Sequence, residues 1–209
     1  MKNIVTIDFD IIMAPCINLY NDWIDSQNYT IHNVLSNFPF LENMNADLII
    51  YKRLTEYIIK VIQFLDAEQI HFVNSHEDIQ KFINEKDVTI YNIDHHHDIA
   101  YGQTRQKINI PLLEPHCSNW VKFLKDSNRL KEYIWINNDN SELLFDDILK
   151  YYPAKTIKFK DFNLDGLVEK TDMLCICKSS AWILPSYLPL FDLWKTICEK
   201  HYQQTFKTL

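Results

Sequence analysis

Glycine is nearly absent from this chain of 209 residues: only Gly102 and Gly166 occur. Phosphate cradles of the P-loop and dinucleotide type need several glycines at fixed spacing, so that backbone N–H groups can approach the ligand. No such cradle can be assembled here, and nucleotide binding through one is not expected. Paired cysteine motifs are missing too. Cys16, Cys117, Cys175, Cys177 and Cys198 are odd in number and none is spaced as Cys-x-x-Cys, which points to free thiols in a reducing compartment. An excess of positive charge is also lacking. The formal net charge is −7, opposite in sign to the basic footprint of a nucleic-acid binder, so no nucleic-acid partner is expected. No window approaches the roughly 18 apolar residues of a membrane span. Asp8 and Asp10 interrupt the region where a signal peptide would need an apolar stretch. The expectation is a cytoplasmic protein with no membrane partner.

Hydrophobic residues make up 47% of the chain, enough to build a core, and no repeat, linker or low-complexity tract divides it. A single domain over residues 1–209 is the economical expectation. Apolar, β-branched runs predict strands at Ile4–Phe9, Ile70–Asn74, Val88–Ile93, Tyr133–Asn137, Thr156–Phe159 and Met173–Cys177. Helical spacing of Leu48, Tyr51, Leu54, Ile58, Ile62 and Leu65 predicts a long helix over Asn45–Ala67. Further helices are expected at Glu77–Asn84 with Ser75 as its cap, at Asn119–Ser127, at Leu143–Tyr151 and at Leu190–Tyr202. Strands alternating with helices predict an α/β fold: a mostly parallel sheet flanked by helices.

Three of the expected strands run into polar clusters: Asp8 and Asp10 after the first, Ser75-His76 after the second, and Asp94-His95-His96-His97-Asp98 after the third. Active sites of open α/β sheets lie at the carboxyl ends of the strands, so these clusters should converge. In an extended segment side chains alternate with period two, which would aim Asp94, His96 and Asp98 one way and His95 and His97 the other. Four carboxylates in one pocket repel one another and stay ionised only if cations neutralise them. Carboxylate and imidazole ligands without thiolate favour manganese, iron or zinc. Six such ligands are too many for one catalytic zinc and suit two ions that share carboxylates, with Mn2+ first and Fe2+ or Zn2+ as alternatives. Taken alone, His76 favours a ligand, with a capping or core histidine as the alternative.

These residues resemble the motifs of the arginase superfamily. The matches are Asp94-His95-His96-His97-Asp98, the run Thr6-Ile7-Asp8-Phe9-Asp10 through Pro15, and Asn74-Ser75-His76. The Asp-x-Asp motif comes first here, whereas ordinary arginases place it last, as in a circular permutation. That order, with the His-rich motif, is similar to the peptide arginases, which convert arginine residues of ribosomally made peptides to ornithine. The similarity extends to Cys117-Ser118-Asn119-Trp120 and to Cys177-Lys178-Ser179-Ser180-Ala181-Trp182-Ile183-Leu184-Pro185. Ala14 stands where the superfamily has a third acid, and the Gly-Gly pair before the histidine is absent.

The resemblance implies an arginase-like or deacetylase-like fold and a binuclear manganese site acting on an arginine-containing peptide. Asp94 and Asp8 would bridge, His76 and Asp98 would complete one shell, and His96 and Asp10 the other. Water held there would attack the guanidinium carbon, oriented by Asp98, and release urea. His116 is the candidate acid for the leaving amine, with His97 or His95 in reserve. Glu77 or Glu114 would anchor the guanidinium. Trp120 and Trp182 would wall the cleft, and Asn119 and Ser180 would orient substrate. The bland alternatives are a surface role for His116, solvated positions for the glutamates, and core packing for the tryptophans. Three rival functions fit parts of the pattern. The Asp94-His95-His96 run also matches a DHH-type phosphoesterase, for which Lys178 and Arg105 are the available cations. A mononuclear deacetylase-like enzyme would need fewer ligands. A non-catalytic, metal-containing peptide-binding protein would use the metal only for structure.

Overall fold

The computed structural model describes residues 2–12, 48–100, 110–137, 152, 154–158, 161, 170–179 and 188–207. Six strands form one all-parallel sheet: β1 (Asn3–Asp8), β2 (Asp66–Val73), β3 (Val88–Ile93), β4 (Leu130–Asn137), β5 (Lys155–Lys158) and β6 (Lys170–Cys177). Their spatial order is β2-β6-β1-β3-β4-β5. Helices α1 (Leu48–Phe64), α2 (Trp120–Asp126) and α3 (Leu188–Lys207) flank the sheet, so the fold is α/β. No helix among the described residues is long and apolar enough to cross a membrane.

The sheet is covered on both faces, which explains why its strands read as continuous apolar runs. On one face Val5, Ile7, Ile134, Ile136, Leu174 and Ile176 pack under α1 and α3. There Phe9 meets the rings of Phe191 and Trp194 edge-on, at 5.4 and 4.8 Å. The Tyr202 hydroxyl donates to the carbonyls of Leu65 at 2.9 Å and Ile62 at 3.3 Å, which satisfies acceptors that the end of α1 leaves open. On the other face Ile4, Ile90, Tyr133, Trp135, Met173 and Cys175 pack under α2 and a 3-10 segment, His76–Lys81. Each fully buried aliphatic side chain stabilises the fold by about 1.5–3 kcal/mol.

Several boundaries differ from the sequence expectation. The first helix stops at Phe64, because Asp66 already pairs with Lys170 as β2 begins. The expected helix at Glu77–Asn84 is a short 3-10 turn, and Ser75 does not cap it: its hydroxyl donates to the Glu77 carboxylate instead. The helix expected at Leu143–Tyr151 lies outside the described residues.

The strand order places the site. From β1 the chain continues to β2 on one side, and from β3 to β4 on the other. The adjacent strands β1 and β3 therefore form a topological switch point, and sites of open α/β sheets lie beyond the carboxyl ends of such strands.

Candidate metal centre

Asp8 closes β1 and Asp10 sits in the 3-10 turn that follows it. His76 opens the 3-10 segment just after β2, and Asp94 follows β3 directly. The backbone after Ile93 is not extended. Residues 94–96 bend, and Asp98 takes a left-handed conformation with φ of 49° that Asp tolerates better than most residues. A bend, and not the period of an extended strand, therefore aims these side chains. His95 is buried, and His97 is fully buried with its ring edge-on to Trp135. His97 Nδ1 accepts the Ile99 N–H at 3.1 Å, so this histidine holds the loop together.

The bend nevertheless brings Asp94 and Asp98 together. Three carboxylate oxygens surround His76 Nδ1: Asp98 Oδ2 at 2.9 Å, Asp94 Oδ2 at 3.0 Å and Asp8 Oδ2 at 3.2 Å. Thr6 Oγ1 lies 2.7 Å from the other ring nitrogen, Nε2. With the Nε2 proton given to Thr6, Nδ1 carries a lone pair pointed into three negative oxygens. None of the three meets Nδ1 with hydrogen-bond alignment, and Asp10 Oδ1 is likewise buried without a partner. Such orphaned atoms are expensive to bury. A cation among them would satisfy all of them, so the residues fit a metal ion.

Among the described residues two groups of ligand atoms are close enough to hold one: Asp8, His76 and Asp94, and then Asp10, Asp94 and His96. Asp94 belongs to both. In the second group His96 Nδ1 is 2.8 Å from Asp10 Oδ2. Electrostatics agree with the crowding. Burial and the charges of Asp8 and Asp94 push the Asp10 carboxyl well above the usual carboxylate range. Burial and Asp94 push Asp98 up to about 7. Against burial, contacts with Asp8, Asp94 and Asp98 hold His76 well above its ordinary value. Also against burial, His76 holds Asp94 low. Without a metal the cluster keeps protons to limit its negative charge, which is a cation's role.

A second layer orients the ligands. Trp120 Nε1–H donates to Asp98 Oδ2 at 2.7 Å. Asn92 Nδ2–H donates to Asp94 Oδ2 at 3.0 Å and to the Tyr133 hydroxyl at 2.7 Å, which in turn donates to the His97 carbonyl at 2.9 Å. The His96 N–H donates to Asp94 Oδ1 at 2.9 Å, and the Ser179 hydroxyl to Asp8 Oδ2 at 2.5 Å.

Trp120 is thus placed beneath the site, fully buried, and not along a cleft wall. Asn119 precedes α2 and its Oδ1 accepts the His116 N–H at 2.9 Å, so its amide shapes the turn. His116 is exposed, with Nδ1 3.1 Å from Ser118 Oγ. Burial, followed by the charges of Asp98 and Glu77, pushes the neighbouring Cys117 thiol up to about 12. The turn leads directly into α2, whose Trp120 is bonded to Asp98, and Glu77 follows His76 in sequence. Glu114 is exposed on the same segment. Ser180 and Trp182 lie outside the described residues. Sequence reasoning assigned no role to Thr6, Asn92, Tyr133 or Ser179. Thr6 and Asn92 stand two residues before Asp8 and Asp94 on the same strands, so period two alone aims them at the site.

No protein-family model matches the chain, and neither a curated protein nor a solved structure shows significant similarity to it.

Proposed function

We propose that the chain is a two-cation hydrolase, with manganese the preferred ion, that cleaves the guanidinium of arginine within a peptide to give ornithine and urea. The observation that carries the reading is the pair of ligand groups sharing Asp94. A mononuclear deacetylase-like site would leave Asp10 and His96 without a purpose, although they sit 2.8 Å apart at the same carboxylate. Two divalent cations in these groups would supply the Lewis acidity that makes a water nucleophilic near neutral pH. In this reading Asp94 and Asp8 would help to hold both ions, Asp98 and His76 would hold one of them, and Asp10 and His96 the other.

The remaining roles fall to this chain's own groups. Asp98 Oδ2 is fixed by the Trp120 indole, which lets the carboxylate accept a hydrogen bond from the attacking water in a constant orientation. Glu77, next to His76, offers a carboxylate to the cationic guanidinium, with Glu114 the alternative. His116, on the turn beside the cluster, is the group to protonate the leaving amine. The substrate class rests on the motif resemblance. The phosphoesterase reading is weaker. Lys178 lies over the Phe191 ring at 5.8 Å, on the face away from the carboxylates, and Arg105 lies outside the described residues.

The test is to load the protein with Mn2+ and follow urea release and product mass from an arginine-containing peptide and from free arginine. Conversion to ornithine removes about 42 Da per arginine by guanidine hydrolysis. Loss on the peptide alone supports the proposal. Turnover of free arginine shifts the reading to an ordinary ureohydrolase. No loss on either, with metal bound, overturns the guanidine chemistry and turns attention to acetyl-lysine and phosphodiester substrates.

A further inference from the structure

We infer that Ser179 is a positioning residue that selects and holds the metal-binding oxygen of Asp8. The inference rests on the cation site proposed above but not on the identity of its substrate. Ser179 follows β6, the strand between β2 and β1 that contributes no ligand to either group. It is buried, and its hydroxyl donates to Asp8 Oδ2 at 2.5 Å. That is the same oxygen that stands 3.2 Å from His76 Nδ1. The other oxygen, Oδ1, accepts the Asp10 N–H at 3.3 Å. Each oxygen of Asp8 therefore has one donor, from opposite sides, and the carboxylate cannot rotate without losing both.

The direction of the chain of bonds is fixed. Ionised Asp8 only accepts, so the Ser179 proton must go to it. Ser179 Oγ is then open to the Cys177 thiol, whose sulfur lies 3.3 Å away on the same buried face. The backbone gives a second sign that the side chain matters. Ser179 has φ of 45°, a left-handed conformation where glycine would be the easier residue. The Lys178 N–H donates to the Val73 carbonyl at 2.9 Å just before it, which locks the turn against the end of β2. A hydroxyl is retained where the backbone alone would favour none.

This contrast supplies the test. Metal-free wild type, Ser179→Gly and Ser179→Ala are titrated with Mn2+ by calorimetry, with circular dichroism and thermal melts of the metal-free forms alongside. Glycine relieves the left-handed backbone while it deletes the hydroxyl, so it offsets part of the cost of losing the bond to Asp8, whereas alanine keeps the strained backbone. The expectation is Mn2+ binding about 10- to 100-fold weaker in both variants, the loss typical of an outer-shell partner, with the native circular dichroism spectrum kept and the Gly variant melting no lower than the Ala variant in metal-free form. Unchanged Mn2+ affinity in Ser179→Gly overturns the inference and leaves the cation site standing. Absence of Mn2+ binding by wild type overturns both.

Discussion

Trp120→Phe separates two meanings of a tryptophan beside an active site. The indole is fully buried, and its N–H is bonded at 2.7 Å to Asp98 Oδ2. Its ring stands 4.9 Å from the His76 ring. Phenylalanine keeps the aromatic packing but removes the donor and roughly 40 Å³ of volume, a void worth about 1 kcal/mol. A hydrogen bond to an ionised carboxylate contributes about 1.5–3 kcal/mol. The metal-loaded variant should therefore be less stable by about 2.5–4 kcal/mol, and melt roughly 5–15 °C lower for a chain of this size. Asp98 would lose its fixed orientation, so Mn2+ binding should weaken by about 10- to 100-fold. Calorimetric titration with Mn2+ and a melt of each form measure both. Substrate KM at saturating metal should change little, because Trp120 does not reach solvent. Wild-type Mn2+ affinity combined with a raised KM would refute this reasoning and make Trp120 a substrate contact after all.

Two further outcomes follow from the same geometry. Asp94 belongs to both ligand groups and Asp10 to one, so Asp94→Asn should abolish binding of both ions, whereas Asp10→Asn should leave one bound. Metal analysis of the desalted variants distinguishes these, and equal loss in both would contradict the partition. The pH dependence has a defined sign. Burial and neighbouring charge push Asp98 up to about 7, and burial with Asp8 and Asp94 raises Asp10, so below about pH 7 the metal-free site holds protons that an entering cation must displace. Mn2+ affinity should climb as pH rises, by at most about tenfold per unit for each proton displaced, and go on climbing above 7, because His76 is also held well above its ordinary value and must give up its proton to bind. Titrations in buffers of different ionisation enthalpy count the protons, and an affinity that falls as pH rises would contradict the assignment.

Much of the framework was legible because fully buried parallel strands leave unbroken apolar runs, as at Ile4–Ile7, Val88–Ile93 and Met173–Cys177. The start of β2 was not, since Asp66, Glu68 and Gln69 continue the polar spacing of the preceding helix and are ordered as a strand only by pairing with β6. That pairing joins residues about a hundred positions apart, and no local pattern announces it. The candidate ligands stood out because an acid or imidazole recurs at strand ends. Their geometry did not. The alternation expected through Asp94–Asp98 assumes an extended chain, but the strand ends at Ile93 and the left-handed turn at Asp98 does the aiming. Ser179 escaped notice because its value lies in one hydrogen bond to a residue 171 positions away. Trp120 could be read from its chemistry either as a cleft aromatic or as a core aromatic, and the structure places it in the core. Its burial depends on how α2 lies against the 3-10 segment after β2, which composition does not encode.

The measurement that bears most directly on the central claim is anomalous scattering from a crystal grown with Mn2+. The account predicts two peaks about 3.5–4 Å apart, as in other two-metal sites, with Asp94 between them. His76 and Asp98 should stand at one peak, and Asp10 and His96 at the other. A single peak at His76, with Asp10 still paired to His96, would contradict a two-cation hydrolase.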